Sequence, residues 1–254
     1  MCYPAPPTIA FVPGSFHTPA HFSLMTKALQ NEDIPSIAIS LPTCGPNAEQ
    51  FDHKDDIEAI CKVLLDLVEL QKKDVLFVCH SYGGIPASQS VTGLEKSKRA
   101  SKGQEGGIIG IVFICSLLVP EGERMAGGKP IEEGLPSHFE YDGSVLRCER
   151  DSGDVFYNDL DPSERGQWVD ILTPQSGKAF TFPTSGTCWD LDIRKAYIMT
   201  KADLVVPYYA QEAMVGRVRR PDDQWQLITM EGEVGHSPFL SRVEQLVGIL
   251  KGLF

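Results

Sequence analysis

Ser81 ends the apolar run Val75-Leu-Phe-Val-Cys79-His80 and is followed by Tyr82-Gly83-Gly84. A serine set where a buried strand bends sharply into a helix can act as a nucleophile. The bend exposes its Oγ, and the helix N-terminus offers partial positive charge to a developing oxyanion. Such a bend needs small residues two positions either side, and Cys79 and Gly83 stand there. A serine hydroxyl is a weak nucleophile without a base. Six histidines are available: His17, His21, His53, His80, His138 and His236. His80 is expected to point to the other side of the strand from Ser81, His53 opens a helix, and His138 falls in an irregular stretch. His236, in Gly235-His236-Ser237-Pro238, follows an apolar strand at 225–230. In a parallel sheet that loop shares the carboxyl edge with Ser81, where ligands bind. Asp203 follows a strand at 196–200 and reaches the same edge, where a carboxylate would fix the tautomer of the base. Asp190 and Asp192 precede that strand and belong at the opposite edge, while Glu231 and Glu233 stay open as alternatives. The competing roles are helix capping for Ser81, packing or capping for His236 and an Asx turn for Asp203.

The elements that would position these residues alternate. Strands are expected at 8–12, 36–40, 74–79, 108–115, 196–200 and 225–230. Helices are expected at 20–30, 52–70, from near 82, and at 208–218 and 238–253. Over 52–70 the apolar residues Ile57, Ile60, Cys61, Leu64, Leu65 and Val68 recur at helical spacing. Strands separated by helices predict an α/β fold with a mostly parallel sheet flanked by helices. Residues 121–190 break the alternation and read as an inserted lid within one domain spanning 1–254. Asp161-Pro162-Ser163-Glu164 is a helix start, so the lid is expected to be helical. Aromatic residues crowd there: Phe139, Tyr141, Phe156, Tyr157, Trp168, Phe180, Phe182 and Trp189 fall within a fifth of the chain. They would either build the lid's own core or line an apolar pocket over Ser81.

At 254 residues, the chain can bury a core without disulfide or metal staples. Its net charge of −11 makes nucleic acid and anionic membranes poor partners. The basic cluster Lys96-Ser97-Lys98-Arg99 reads as a solvated helix end. The seven cysteines, Cys2, Cys44, Cys61, Cys79, Cys115, Cys148 and Cys188, form no CxxC pair and read as reduced, mostly buried thiols. With no basic-then-apolar leader at the N-terminus, the expected compartment is the cytoplasm. His17 and His21 are spaced HxxxH, but Pro19 lies between them and no third ligand is evident, so no metal and no cofactor are expected. No GxGxxG or P-loop is present either. The expected partner is a small-molecule substrate, with a homodimer left open.

The order Ser81, Asp203, His236 and the segments Val12-Pro13-Gly14-Ser15-Phe16-His17, Cys79-His80-Ser81-Tyr82-Gly83-Gly84, Ala202-Asp203-Leu-Val-Val-Pro207 and Gly235-His236 resemble the α/β-hydrolase superfamily. Within it the chain is similar to the small members that include plant methylesterases and hydroxynitrile lyases, and to fungal hydrolases of that type. The resemblance covers essentially the whole chain. It implies a Ser81–His236–Asp203 triad with an oxyanion hole made by the backbone N–H groups of Ser15 and Tyr82. The relatives' His-Gly-x turn is Pro13-Gly14-Ser15 here, which backbone donors tolerate. It also implies a place for His17 at the pocket entrance, a surface role being the alternative. Phe156, Tyr157 and Trp189 are the candidate pocket aromatics. The lyases of that group carry Thr in the first turn and Lys after the triad His. Gly14 and Ser237 stand there instead, which counts against cyanohydrin cleavage. The expected activity is hydrolysis of a carboxylic ester, lactone or thioester. The alternatives are a lyase, cyclase, retro-aldol or Claisen enzyme of specialised metabolism on the same fold, and a silent ligand receptor.

Overall fold

Period-two sorting of apolar residues builds the centre of the molecule. The computed structural model of the protein describes residues 5–133, 135–220 and 222–254; Cys2 lies outside them. Its strands are β1 Thr8–Val12, β2 Ser36–Ala38, β3 Asp74–His80, β4 Gly107–Ile114, β5 Phe139–Tyr141, β6 Val145–Cys148, β7 Gln175–Ser176, β8 Arg194–Met199 and β9 Gln226–Thr229. Six of them form one parallel sheet in the order β2-β1-β3-β4-β8-β9. Along β1 and β3, Ala10, Val12, Val75, Phe77 and Cys79 face one core, and Ile9, Phe11, Leu76 and Val78 face the other. A strand buried on both faces is continuously apolar for this reason.

The helices are α1 Ser23–Asn31, α2 His53–Leu65, α3 Gly84–Ser88, α4 Lys96–Ala100, α5 Gly153–Phe156, α6 Pro162–Val169, α7 Tyr208–Val218, α8 Pro238–Ser241 and α9 Val243–Lys251. Ile60 and Leu64 of α2, Ile85 of α3 and Val215 of α7 fill the first core. Met25 and Leu29 of α1 and Leu246, Val247 and Leu250 of α9 fill the second. No helix among the described residues is long and apolar enough to cross a membrane.

Four expectations are corrected. The helix over 52–70 stops as α2 at Leu65 and gives way to a π-helical turn, Asp66–Leu70. The last helix breaks at Arg242, where Ser241 donates to the Asp159 carboxylate at 2.6 Å and pulls the chain toward the insert. The basic cluster is not simply solvated. Arg99 is buried and donates to the carbonyls of Gly106 and Glu105 and to Glu69, tying the turn after α4 to the π turn.

The fourth correction concerns the insert, which is not purely helical: β5, β6 and β7 form a small antiparallel sheet. The β5–β6 turn is made by Asp142, whose carboxylate accepts from the N–H groups of Ser144 and Val145, and by Gly143 at φ +90°. An Asp-Gly pair supplies this turn chemistry.

Candidate active site

β3 carries the chain up between β1 and β4 and delivers Ser81 at its carboxyl end with φ +50°. That region is costly for a residue with a Cβ and persists only where the surroundings enforce it. They do so here. The Ser81 carbonyl accepts from Leu117 N–H at 2.9 Å and from Ser116 Oγ–H at 2.8 Å, fixing the bend to the segment after β4. A Cβ on Gly83 would strike the carbonyl oxygen of Pro13, and one on Gly14 would stand 2.7 Å from Ser81 Cβ. These two glycines let the turn after β1, which carries Ser15, lie against the bend.

Asp203 and His236 come from the loops after β8 and β9. His236 Nδ1–H donates to Asp203 Oδ2 at 2.8 Å, with both side chains fully buried. The other oxygen, Oδ1, accepts the N–H groups of Val205 and Val206, each at 2.8 Å, and Thr200 Oγ1–H donates to Oδ2 at 3.2 Å. These donors compensate a buried carboxylate and fix its orientation. The partner at Nδ1 leaves His236 Nε2 as the unprotonated nitrogen, and Nε2 has no hydrogen-bond partner. This is the nitrogen a base would use.

His80 turns toward the second core with Leu76 and Val78, as strand alternation suggested, its ring centroid 4.8 Å from that of Phe239, and there it meets His236. Its Nε2–H donates to the His236 carbonyl at 2.9 Å, and the two ring centroids lie 4.6 Å apart. Cys115 S–H donates to the same carbonyl at 3.2 Å. His80 begins a row of imidazoles: His17 lies 5.7 Å from it and His21 4.5 Å from His17. His17 is buried and has no surface role. Its Nδ1–H donates to the Ser15 carbonyl at 2.6 Å, and its Nε2 accepts Tyr157 O–H at 3.1 Å. His21 accepts Thr18 N–H at Nδ1 and donates from Nε2 to the Trp168 carbonyl. Burial, reinforced by neighbouring rings, holds His17 and His80 well below the ordinary imidazole range, and burial pulls His21 down to about 4. These three rings are therefore neutral at pH 7.

A cavity of about 300 Å³ opens over Ser81. Ser81 and Ser15 reach its wall, and the rest is largely apolar: Phe16, Phe139 and Phe156 on one side, Leu117, Met125 and Phe180 on another, with Val205 and Val206 beside them. The Phe16, Phe139 and Phe156 centroids lie 5.1 to 6.1 Å apart. Lys129 and Glu133, paired at 3.0 Å, also line the cavity.

A family profile described as "Alpha/beta hydrolase family" matches residues 9–249. The chain belongs to the alpha/beta hydrolase family. Alpha/beta hydrolase nvfD of Aspergillus novofumigatus is 28% identical over 249 residues, covering 96% of this chain and 95% of that one. Probable hydrolase R7 of Phoma sp. is 25% identical over 255 residues, covering 96% of each. Among solved structures, the methylesterase protein MES16 from Arabidopsis superposes with a TM-score of 0.70 at 20% identity, covering 96% of this chain and 97% of that one. That last likeness is one of fold.

Of the pocket residues expected from the sequence of this alpha/beta hydrolase, Phe156 lies on the cavity wall. Tyr157 is wholly buried behind it as the partner of His17, and His17 lines no part of the cavity. Trp189 does not reach the pocket. Its chain segment is returning to the start of β8, so its ring packs on Phe113 and Trp225 and its N–H donates to the Val119 carbonyl. Phe16, Leu117, Val205 and Val206 were not expected on the wall. Their signal was chain position: Phe16 follows Ser15, Val205 and Val206 follow Asp203, and Leu117 follows the carboxyl end of β4. Among the described residues, His80, Cys115 and His236 form the one group of three potential metal ligands. Cys115 S–H and His80 Nε2–H already donate to the His236 carbonyl, and burial raises the Cys115 thiol well above its ordinary range. The group is better fitted to hold that carbonyl than to hold an ion.

Proposed function

We propose that this alpha/beta hydrolase cleaves a carboxylic ester, lactone or thioester of a small apolar or aromatic metabolite through an acyl-enzyme. In this reading the whole chain works as one domain, with residues 121–190 as its lid. The observation that carries it is the buried His236–Asp203 pair, with an unpartnered Nε2 and a ring 5.9 Å from Phe156, which lines the apolar cavity over Ser81 on its strained bend. Ser81 Oγ attacks the carbonyl carbon as His236 takes its proton. Asp203 keeps Nδ1 protonated and stabilises the imidazolium. The N–H groups of Ser15 and Tyr82 receive the oxyanion. The tetrahedral intermediate collapses as His236 protonates the leaving alcohol. Water, activated by the same ring, then releases the acid.

The relatives named hydrolase and the fold shared with a methylesterase support this reading. The test is fluorophosphonate labelling of Ser81 together with turnover of p-nitrophenyl esters of graded length. Labelling with turnover is expected, and a folded protein that does neither overturns the reading. The unpartnered His236 Nε2 also favours a second reading, in which that nitrogen takes a proton from substrate carbon in a lyase, cyclase or retro-aldol step. Product analysis separates the two, because only hydrolysis incorporates oxygen from labelled water into an acid.

A further inference from the structure

Beneath Ser81 lies a second buried carboxylate that the proposed reaction does not use. Asp56, in the first turn of α2, is completely buried, and no cation pairs with it among the described residues. Its Oδ1 accepts Thr43 N–H at 3.0 Å, and its Oδ2 accepts Thr43 Oγ1–H at 2.6 Å and Tyr82 O–H at 2.7 Å. Tyr82 is the residue after Ser81, and its backbone N–H is the oxyanion donor of the proposed reaction. Its main chain is held by the tight turn Ser81–Gly83 and its phenol by Asp56, so the residue is pinned at both ends. The Tyr82 ring also meets Phe180 of the cavity wall edge-on, with centroids 5.3 Å apart.

Thr43 extends the connection into the insert. Its carbonyl accepts Ser176 N–H at 2.9 Å, and Gln175 Nε2–H reaches its Oγ1 at 3.5 Å. β7 is thereby bound to the same carboxylate that holds the oxyanion donor. Burying an acid without a cation is expensive, and an apolar trio of the same shape would pack as well. What the polar trio adds is direction: a carboxylate with three donors admits one orientation of the phenol.

We propose that Asp56 is a positioning residue: by holding the Tyr82 phenol it aims the Tyr82 backbone N–H at the oxyanion, and through Thr43 it ties that aim to the seating of β7. The proposal rests on Ser81 being the nucleophile. A packing role would affect ground state and transition state alike, whereas an aiming role acts where the oxyanion forms.

The test compares Tyr82→Phe, Asp56→Asn and Thr43→Val with the wild type. The measurements are kcat and KM on a p-nitrophenyl ester, affinity for an aryl trifluoromethyl ketone, affinity for the matching aryl alcohol, and melting temperature. The ketone forms an oxyanion on Ser81 and the alcohol forms none. For Tyr82→Phe and Asp56→Asn, kcat is expected to fall roughly 10- to 100-fold, below the ~10²–10³ cost of deleting an oxyanion donor outright. KM should hold within about twofold, ketone affinity should fall in step with kcat, and alcohol affinity should stay unchanged. Thr43→Val keeps the Tyr82–Asp56 bond and should show the same selective loss to a smaller degree. It carries the test if Asp56→Asn does not fold. Folded variants with wild-type kcat and ketone affinity overturn the proposal. So does an equal loss for ketone and alcohol that tracks melting temperature. Failure of Ser81 as nucleophile shows elsewhere, as a wild type that neither labels with fluorophosphonate nor prefers the ketone to the alcohol.

Discussion

The carboxyl edge of the main sheet and the insert above it are held by different means. At the edge, each group of the candidate machinery is fixed by hydrogen bonds that involve the backbone: two N–H groups on Asp203, two donors on the Ser81 carbonyl, two on the His236 carbonyl. The insert adds short helices and a three-stranded sheet, and Phe139, Phe156 and Phe180 with other apolar residues form its side of the cavity. Geometry is thus enforced where bonds would break and form. Shape is left to side chains where substrates would differ.

The largest effect should come from the edge. Ser81→Ala should lower kcat by ~10⁴-fold or more with an unchanged melting temperature. Most of the activity surviving in a folded variant would break the contrast at its centre. Asp203→Asn should cost roughly 10³–10⁴-fold, because the His236 ring loses its fixed tautomer. Asp192→Asn, before β8, should be nearly silent, and steady-state kinetics on the pair would expose a reversal.

The two aromatics Phe156 and Trp189 sharpen the comparison. Trp189→Ala removes a ring packed on Phe113 and Trp225 and should destabilise by about 3–5 kcal/mol, lowering the melting temperature while leaving the ester preference intact. Phe156→Ala removes an equally buried ring and should also lower the melting temperature, but it alone should change the ester preference. It should cost large or aryl esters roughly tenfold relative to acetate, since about 0.8 kcal/mol attaches to each buried methylene. Selectivity and melting curves measured side by side decide whether wall and core are separate.

A last effect is on acid stability. His17, His21 and His80 are held below their ordinary value of 6.5 when folded, so the unfolded chain binds their protons first. Stability is full above about pH 6.5 and falls as pH drops below it, by up to about 1.4 kcal/mol per pH unit for each ring. Asp56 works in the opposite sense. Burial raises it to about 6, so its protonation favours the folded state between about 4 and 6. Three rings against one acid should leave a net loss on acidification, and replacing His21 by Gln should flatten the melting-temperature profile between pH 6.5 and 4.

Features dictated by chain direction were legible in the sequence. A buried strand running into Ser81-Tyr82-Gly83, and acid and histidine after the last two strands of the same sheet, must meet at one edge, and Asp203 and His236 do meet. The histidine row was illegible because its rings come from separate segments: alternation along β3 gives the face of His80, but not that His17 and His236 stand against it there. Trp189 looked like pocket because it is aromatic and within the insert, yet at the insert's end the chain has already turned down toward β8. Arg99 looked solvated because its partners are mostly carbonyls, which leave no mark in a charge pattern. The Asp56–Thr43–Tyr82 trio spans three separate segments and has no spacing to read.

β4 and β8 are neighbours in the sheet, and residues 121–190 lie within the connection between them. The connection has to leave one strand and return to the other, and the parallel pairing of Gly110–Ile114 with Arg194–Ile198 is independent of what it does in between. The segment is therefore a cassette. Chemistry can be inherited with the sheet while the cassette is lengthened, shortened or exchanged, provided the new piece keeps a strand that can bond Thr43.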